Sequence, residues 1–207
     1  MAEDPTGKDF RDAMRALVGN CSVLTVGDGD DASGLVVTSA ISLSADPPLL
    51  LACVNRTASA HPLLETYGRF GRSSLGAAHQ PVAERFSGFG GVKGPARYDG
   101  AEWETAVTGA RLLKGAPAAF DCTVEEMIDR ATHSILIGRV RAIRTSPGAG
   151  ALVYWQGGYR ALEGGRYGCG FGAGVPSAPP GRVPSPPPAP MPLVFGFDRS
   201  GTFGVAL

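Results

Sequence analysis

The stretch that decides the fold is "GLVVTSAISLSADPPLLLACVNRTAS", residues 34–59. Its first half alternates as an extended strand does. Leu35, Val37, Ser39, Ile41 and Leu43 fall on one face, and Val36, Thr38, Ala40, Ser42 and Ser44 on the other. The first face has the bulk to enter a core, whereas the second is small and carries three hydroxyls. The chain breaks at Asp46-Pro47-Pro48 and resumes at 49–54 as a short apolar run, read as a fully buried strand. Pattern alone favours a solvent-facing strand with ordinary Thr and Ser. The other reading is a flat ligand lying against the small, hydroxyl-lined face.

Upstream, Asp9 is expected to cap a helix in which Phe10, Ala13, Met14 and Leu17 recur at helical spacing, with Gly19 ending it. "CSVLTVG" reads as a strand and "DGDDASG" as a turn, so 21–26 and 35–44 are expected to form a hairpin. The acidic turn does not fit a calcium loop, because its alternation fails after Asp30 and no Glu ligand follows. Downstream, His61-Pro62 opens a short helix with Leu63, Leu64 and Tyr67 on its apolar side and Gly68 at its end. Residues 70–75 read as a strand, and Gln80-Pro81 starts a second short helix running through Phe86. Strands follow at 118–127 and 134–143, where Ile135, Ile137 and Ile143 share a face and "IDRAT" bridges the two. "ALVYWQGGY" reads as one closing strand. Many short strands, two or three short helices and no βαβ alternation give a mainly β fold. An antiparallel barrel, closed or partly closed, fits better than a doubly wound sheet.

The 207 residues suit one domain with appendages. Lys plus Arg and Asp plus Glu balance at 19 each, and no basic run exceeds two residues. That argues against nucleic acid and anionic membrane surfaces as partners. The longest apolar run is far too short to span a bilayer and the first ten residues lack a signal-like apolar core, so a cytoplasmic protein is expected. Cys21, Cys53, Cys122 and Cys169 form no CxxC pair, which leaves no case for a metal site or disulfide framework. After about Leu162 the chain turns Gly-rich and then Pro-rich, as a flexible or polyproline-like tail does.

"NRTASAHP" follows the apolar run. Asn55, Arg56, Thr57 and Ser59 offer amide, guanidinium and hydroxyl donors that suit a phosphate beside a helix start. A simple capped helix start explains the same residues. There is no Walker lysine loop, and "GCGFGAG" has the wrong spacing and no following helix for a dinucleotide fingerprint. No nucleophile triad, paired carboxylates or metal cluster stands out.

Taken in order, "FRDAMRALVGNCSVLTVG", the 34–59 stretch, "AERF", "GARLLKGAPAAFDCTVEE", "HSILIGRVRAI" and "ALVYWQGGYRAL" resemble the short-chain flavin reductase family. That family has an FMN-binding split β-barrel and supplies the reductase partners of two-component flavin-dependent monooxygenases. The resemblance covers about 10–162, implying one domain between an N-terminal segment, 1–9, and a tail, 163–207. Its most specific parts are the hydroxyl strand ending in Asp-Pro-Pro and the later His133 strand.

The resemblance implies that Thr38 and Ser39, with Ala40 beside them, hold the flavin and that Ser44 is the serine before Asp-Pro-Pro. It places Asn55, Arg56 and Ser59 at the flavin phosphate and Arg85-Phe86 at the end of a short helix. His133 falls near the nicotinamide, and Tyr154 and Tyr159 at the aromatic positions of the closing strand. Ser73 stands where the family often has Asn, Ala40 where it often has Phe, and Tyr98 where Phe is frequent. FMN or FAD, NADH or NADPH as co-substrate, no metal, a homodimer and a monooxygenase partner are implied as well. Hydride transfer between two cofactors needs no protein nucleophile, which accords with the missing triad. A non-catalytic flavin-binding module and a flavin-dependent oxidase resembling pyridoxamine phosphate oxidases are the alternatives. Asp-Pro-Pro and the His133 strand match the reductases rather than the oxidases.

Overall fold

The structure, a computed structural model, describes residues 4–164, so nearly all of the tail expected at 163–207 lies outside the described residues. The chain opens with α1 (Gly7–Met14), followed by β1 (Gly19–Asn20), β2 (Ser22–Val26), β3 (Ser33–Val37), β4 (Ile41–Ala45) and β5 (Pro48–Asn55). Then come α2 (His61–Tyr67), β6 (Arg69–Ser74), α3 (Gln80–Phe86), β7 (Trp103–Thr105) and β8 (Arg111–Leu113). Two long strands, β9 (Ala118–Arg130) and β10 (His133–Thr145), precede the short pair β11 (Ala151–Trp155) and β12 (Gly158–Leu162).

Seven strands form one antiparallel sheet in the order β3-β2-β6-β9-β10-β5-β4. Its two outermost strands, β3 and β4, are consecutive in the chain and joined only by residues 38–40. Four peptide steps reach at most about 14 Å, whereas a flat seven-stranded sheet is about 29 Å across. The sheet must therefore curl until its edges meet. Two satellites flank it, the three-stranded β1-β11-β12 and the pair β7-β8.

The curled sheet has a core on each side. Leu24, Val26, Leu35, Val37, Ala52, Val54, Leu64, Phe70, Cys122 and Leu136 fill the barrel. A second layer, with Cys21, Val23, Val36, Leu75, Val82, Phe86, Tyr98, Leu112 and Leu152, lies between the barrel wall, α3 and the satellites. This explains why β2 and β3 are buried at every position: both of their faces are covered. Each large side chain removed from water in this way contributes about 2–3 kcal/mol. Gly138 is the opening that lets the largest of them in, because a methyl there would lie 2.3 Å from Phe70 Cζ.

Several elements differ from the sequence reading, each for a local reason. The strand expected at 35–44 is two strands, because the chain changes sheet edge at 38–40. Ile41 and Leu43, expected in the core, are 55% and 47% exposed as a result. Within 49–54 only Ala52 and Val54 are buried, while Leu49, Leu50 and Leu51 are half-buried near the open end of the sheet. "IDRAT" joins the two strands only through its last two residues. β9 and β10 run on to a two-residue turn at Ala131-Thr132, where Ala131 takes φ 48°. "ALVYWQGGY" is a hairpin about Gln156 and Gly157, at φ 50° and 79°. The first helix is capped by Thr6 rather than Asp9. Thr6 Oγ1 accepts from Asp9 N at 3.3 Å and Asp9 Oδ2 from Thr6 N at 2.9 Å, a reciprocal capping box. Among the described residues no helix is long and apolar enough to cross a membrane.

Candidate functional site

The closure of the barrel is incomplete, and the candidate site lies at that seam. β4 pairs with β5 only as far as Ile41 opposite Leu51. Beyond it, the edge of β5 from Ala52 to Asn55 faces the free edge of β3, and no ladder joins them. Two hydroxyl contacts pin the ends of this gap. Ser39 Oγ accepts from Cys53 N at 3.0 Å and donates to Cys53 O at 3.3 Å, imitating one residue of a β-ladder. At the other end Ser33 Oγ and Ser59 Oγ are 3.0 Å apart.

Around the gap stand polar groups from three elements. Asn55 folds its Oδ1 back onto Thr57, accepting from both its backbone N and its hydroxyl at 2.9 Å. This Asx turn shapes the 55–59 loop and leaves the amide NH2 to point elsewhere. Arg56 pairs with Asp129 at 3.1 Å. Asp129 Oδ1 accepts from Ser134 Oγ at 2.6 Å, and Ser134 Oγ lies 2.7 Å from His61 Nε2. Ser134 has a single hydroxyl proton, which it gives to Asp129, so His61 must be the donor to Ser134 through Nε2–H. Ser134 is fully buried. The Ser134 hydrogen bond, with help from Arg56, His61 and Arg130, holds the Asp129 carboxyl below its ordinary value of 3.8. The chain His61–Ser134–Asp129 thus fixes the direction of Arg56.

His133 lies directly across the ladder from Asn55. Its Nδ1 is 2.9 Å from Thr132 Oγ1, but its Nε2 is buried and, among the described residues, has no partner. A buried nitrogen left over in this way costs about 1–3 kcal/mol unless a ligand satisfies it. At the far end of the gap, Gly19 makes room for Thr38, since a methyl on Gly19 would lie 2.8 Å from Thr38 Cβ. Gly19 is itself opposite Tyr154 in the β1–β11 ladder, and Asn20 Nδ2 donates to Ala40 O at 3.1 Å.

Thr38, Ser39, Ala40, Asn55, Arg56, Ser59 and His133 are therefore brought together along one seam, with Tyr154 one strand away. The remaining sequence-expected residues lie elsewhere. Ser73 is 0% exposed and its hydroxyl accepts from Leu113 N at 3.0 Å, so it fastens β6 to β8 instead of facing a ligand. Phe86 is 1% exposed within an aromatic cluster, 5.1 Å from Tyr98 and 5.5 Å from Trp103 by ring centroids. Arg85 donates to Ala96 O and Asp99 Oδ2, tying α3 to the 94–98 segment. Ser44 donates to Asp46 O at 3.1 Å, within its own turn. Tyr159 meets Tyr154 edge-on at 5.3 Å and packs on the outer core, where burial pushes its hydroxyl pKa up.

Ser33, His61, Asp129 and Ser134 were not singled out from the sequence. Ser134 did leave a trace. In "HSILIGRV" it shares the inward face with Leu136 and Gly138, and a hydroxyl at an inward position demands a partner.

A family model described as flavin reductase like domain matches residues 14–163. The FMN reductase (NADH) RutF of Stutzerimonas stutzeri is 35% identical over 158 residues, covering 75% of this chain and 88% of its own. The flavin reductase component of a bacterial two-component tryptophan halogenase has a solved structure. It is 34% identical, with a TM-score of 0.70 over 76% of this chain and 99% of its own. An NADH:FAD oxidoreductase of Streptomyces globisporus, solved with NAD and FAD fragments, is 28% identical with a TM-score of 0.67, covering 77% and 96%.

Proposed function

The chain belongs to the flavin reductase-like family, and on that footing we propose that the seam is where it carries a hydride from NADH to FMN or FAD and releases reduced flavin to a partner monooxygenase. The observation that carries this placement is the unpaired stretch between β3 and β5, held open by two hydroxyl contacts and rimmed by Arg56, Asn55 and His133. Those donors fit a phosphorylated flavin. Arg56, aimed by Asp129, and the Ser59 hydroxyl suit the phosphate, while Thr38 and the Ser39–Ala40 backbone line the end where a ring would lie. Ser73, Phe86 and Arg85 are left out of the contact set because their polar atoms or rings are spent inside the fold.

The redox chemistry belongs to the bound flavin and nicotinamide. What the chain contributes is position and exclusion of water. The buried wall of Val37, Ala52 and Val54 keeps solvent from the inner side of the seam. His133 Nε2 is the group placed to hold a nicotinamide amide. NADH is preferred over NADPH, and FMN is accepted, on the strength of the relatives' names.

We also place the protein in the reducing cytoplasm as a homodimer. Cys21, Cys53 and Cys122 are unpaired thiols. The outer face of the barrel presents Ile41 beside Leu51 and Ile137, and Cys53 beside Ile135 and Ile128, in two apolar rows.

The test is to mix purified full-length protein with FMN and NADH and follow loss of the nicotinamide absorbance. Turnover well above the buffer rate is expected. Oxidation no faster than buffer, with either nicotinamide and either flavin, would overturn the reading and leave a flavin-binding module without catalysis.

A further inference from the structure

A cavity opens beside β4 and the first half of β5. It has a volume of about 320 Å³, at the small end of ligand pockets. Leu49, Leu50, Phe120, Val140 and Ile143 form most of its wall, Ile41, Ser42 and Ser44 of β4 close one side, and the one charged residue lining it is Arg72. Arg72 stands opposite Leu24 and Phe120 in the ladders. It therefore shares the inward face of β6 with Phe70, two residues before it. The guanidinium lies 5.2 Å from the Phe120 ring centre, and its Nε is buried without a partner. Among the described residues no carboxylate pairs with it and no carbonyl accepts from it. Among the described residues other half-buried arginines are paired, Arg69 with Asp28, Arg85 with Asp99, and Arg97 with two backbone carbonyls, whereas Arg111, like Arg72, meets only an aromatic ring, that of Tyr98.

A cation turned toward apolar walls with no counter-charge is costly unless something supplies one. Burial itself works against the charge of Arg72. We propose that this cavity is a binding site for a small monocarboxylate with an apolar body, its carboxylate on Arg72 and its body against Leu50, Phe120 and Val140. One guanidinium in apolar surroundings balances one negative charge, so a phosphate dianion would remain half-compensated. A planar carboxylate also matches the paired N–H groups of the guanidinium. Leu49 and Leu50 lie about 17–20 Å along β5 from Asn55, which stands at the phosphate end of the seam, but Ile41 and Ser42, which also line the cavity, directly follow Ala40 at the other end.

The probe is benzoate against its neutral counterpart benzamide, with full-length protein, matched ionic strength and thermal unfolding as the readout. Benzoate is expected to raise Tm by a few degrees in a saturable manner while benzamide does not. The same rise is expected when FMN is already bound. Arg72→Met should abolish the benzoate effect and, by removing an uncompensated charge, raise Tm of the ligand-free protein. Equal shifts from acid and amide, or no shift from either, overturn the proposal without reference to any variant. So does competition between benzoate and FMN, which would make the cavity part of the flavin site. A fall from dimer to monomer in Arg72→Met overturns it too, since the missing carboxylate would then come from a second copy.

Discussion

Ser39 makes both hydrogen bonds of a missing ladder rung, accepting from Cys53 N and donating to Cys53 O. Its hydroxyl is therefore structural even if a flavin ring passes nearby. Ser39→Ala should leave two half-buried backbone groups unsatisfied, at a cost of about 1–3 kcal/mol. Urea unfolding of the flavin-free protein measures this. An unchanged midpoint, with only FMN affinity reduced, would return the hydroxyl to the ligand. His133 is the opposite case, a side chain with a buried nitrogen that none of the described residues pairs. His133→Ala should lower kcat/KM for NADH about tenfold, or about 1.4 kcal/mol, while FMN affinity holds. NADH kinetics identical to the parent protein would remove His133 from the site.

At the scale of elements, the 55–61 loop depends on a hairpin far from it in sequence. Asp129 is next to last in β9, Ser134 is second in β10, and between them they hold Arg56 and His61. The Asp129 carboxyl is shifted down, so its contribution to stability is complete above its ordinary pKa of 3.8 and is lost as pH falls through its lower folded value. The stability gap between the parent and Asp129→Asn should be flat at neutral pH and shrink only below about pH 4. A gap independent of pH down to acid unfolding would show that the ion pair contributes nothing. Which elements were legible in the sequence follows from where their signals reside. α2 and α3 were readable because Pro near each start, and for α2 the left-handed Gly68 at its end, mark helix boundaries locally. β7 and β8 were not, because three-residue strands carry too little alternation to register. The edge change at 38–40 was invisible for a different reason. The alternation of Leu35–Val36–Val37 continues unbroken into Ile41–Ser42–Leu43, although the two halves pair with different neighbours. The donors of 55–59 and His133 were legible as residue types, whereas the burial of Ser73 and Phe86 in the outer layer is set by β8 and by Tyr98, which no local pattern announces.

For the whole molecule, the barrel wall sorts its residues by parity into an inner core and an outer surface, and the outer surface is itself apolar along β4, β5 and β10. Leu136 is 0% exposed inside, while its neighbour Ile137 points outward, opposite Leu51 on one side and Glu126 on the other. If a second copy covers that face, a charge at 137 should separate the copies without harming either barrel. Ile137→Lys is the sharper choice, because Glu126 across the ladder can pair with the new ammonium and contributes about 0.2–1 kcal/mol within the single chain. Light scattering should then show the mass fall from two chains to one, with the thermal midpoint at low concentration nearly unchanged. Leu136→Lys is the control, and it should unfold the protein by placing an unpaired charge among Phe70, Val54 and Leu24. A parent protein that is already a single chain, or an Ile137→Lys protein that keeps the parent mass, would mean the two apolar rows are not what joins one copy to another.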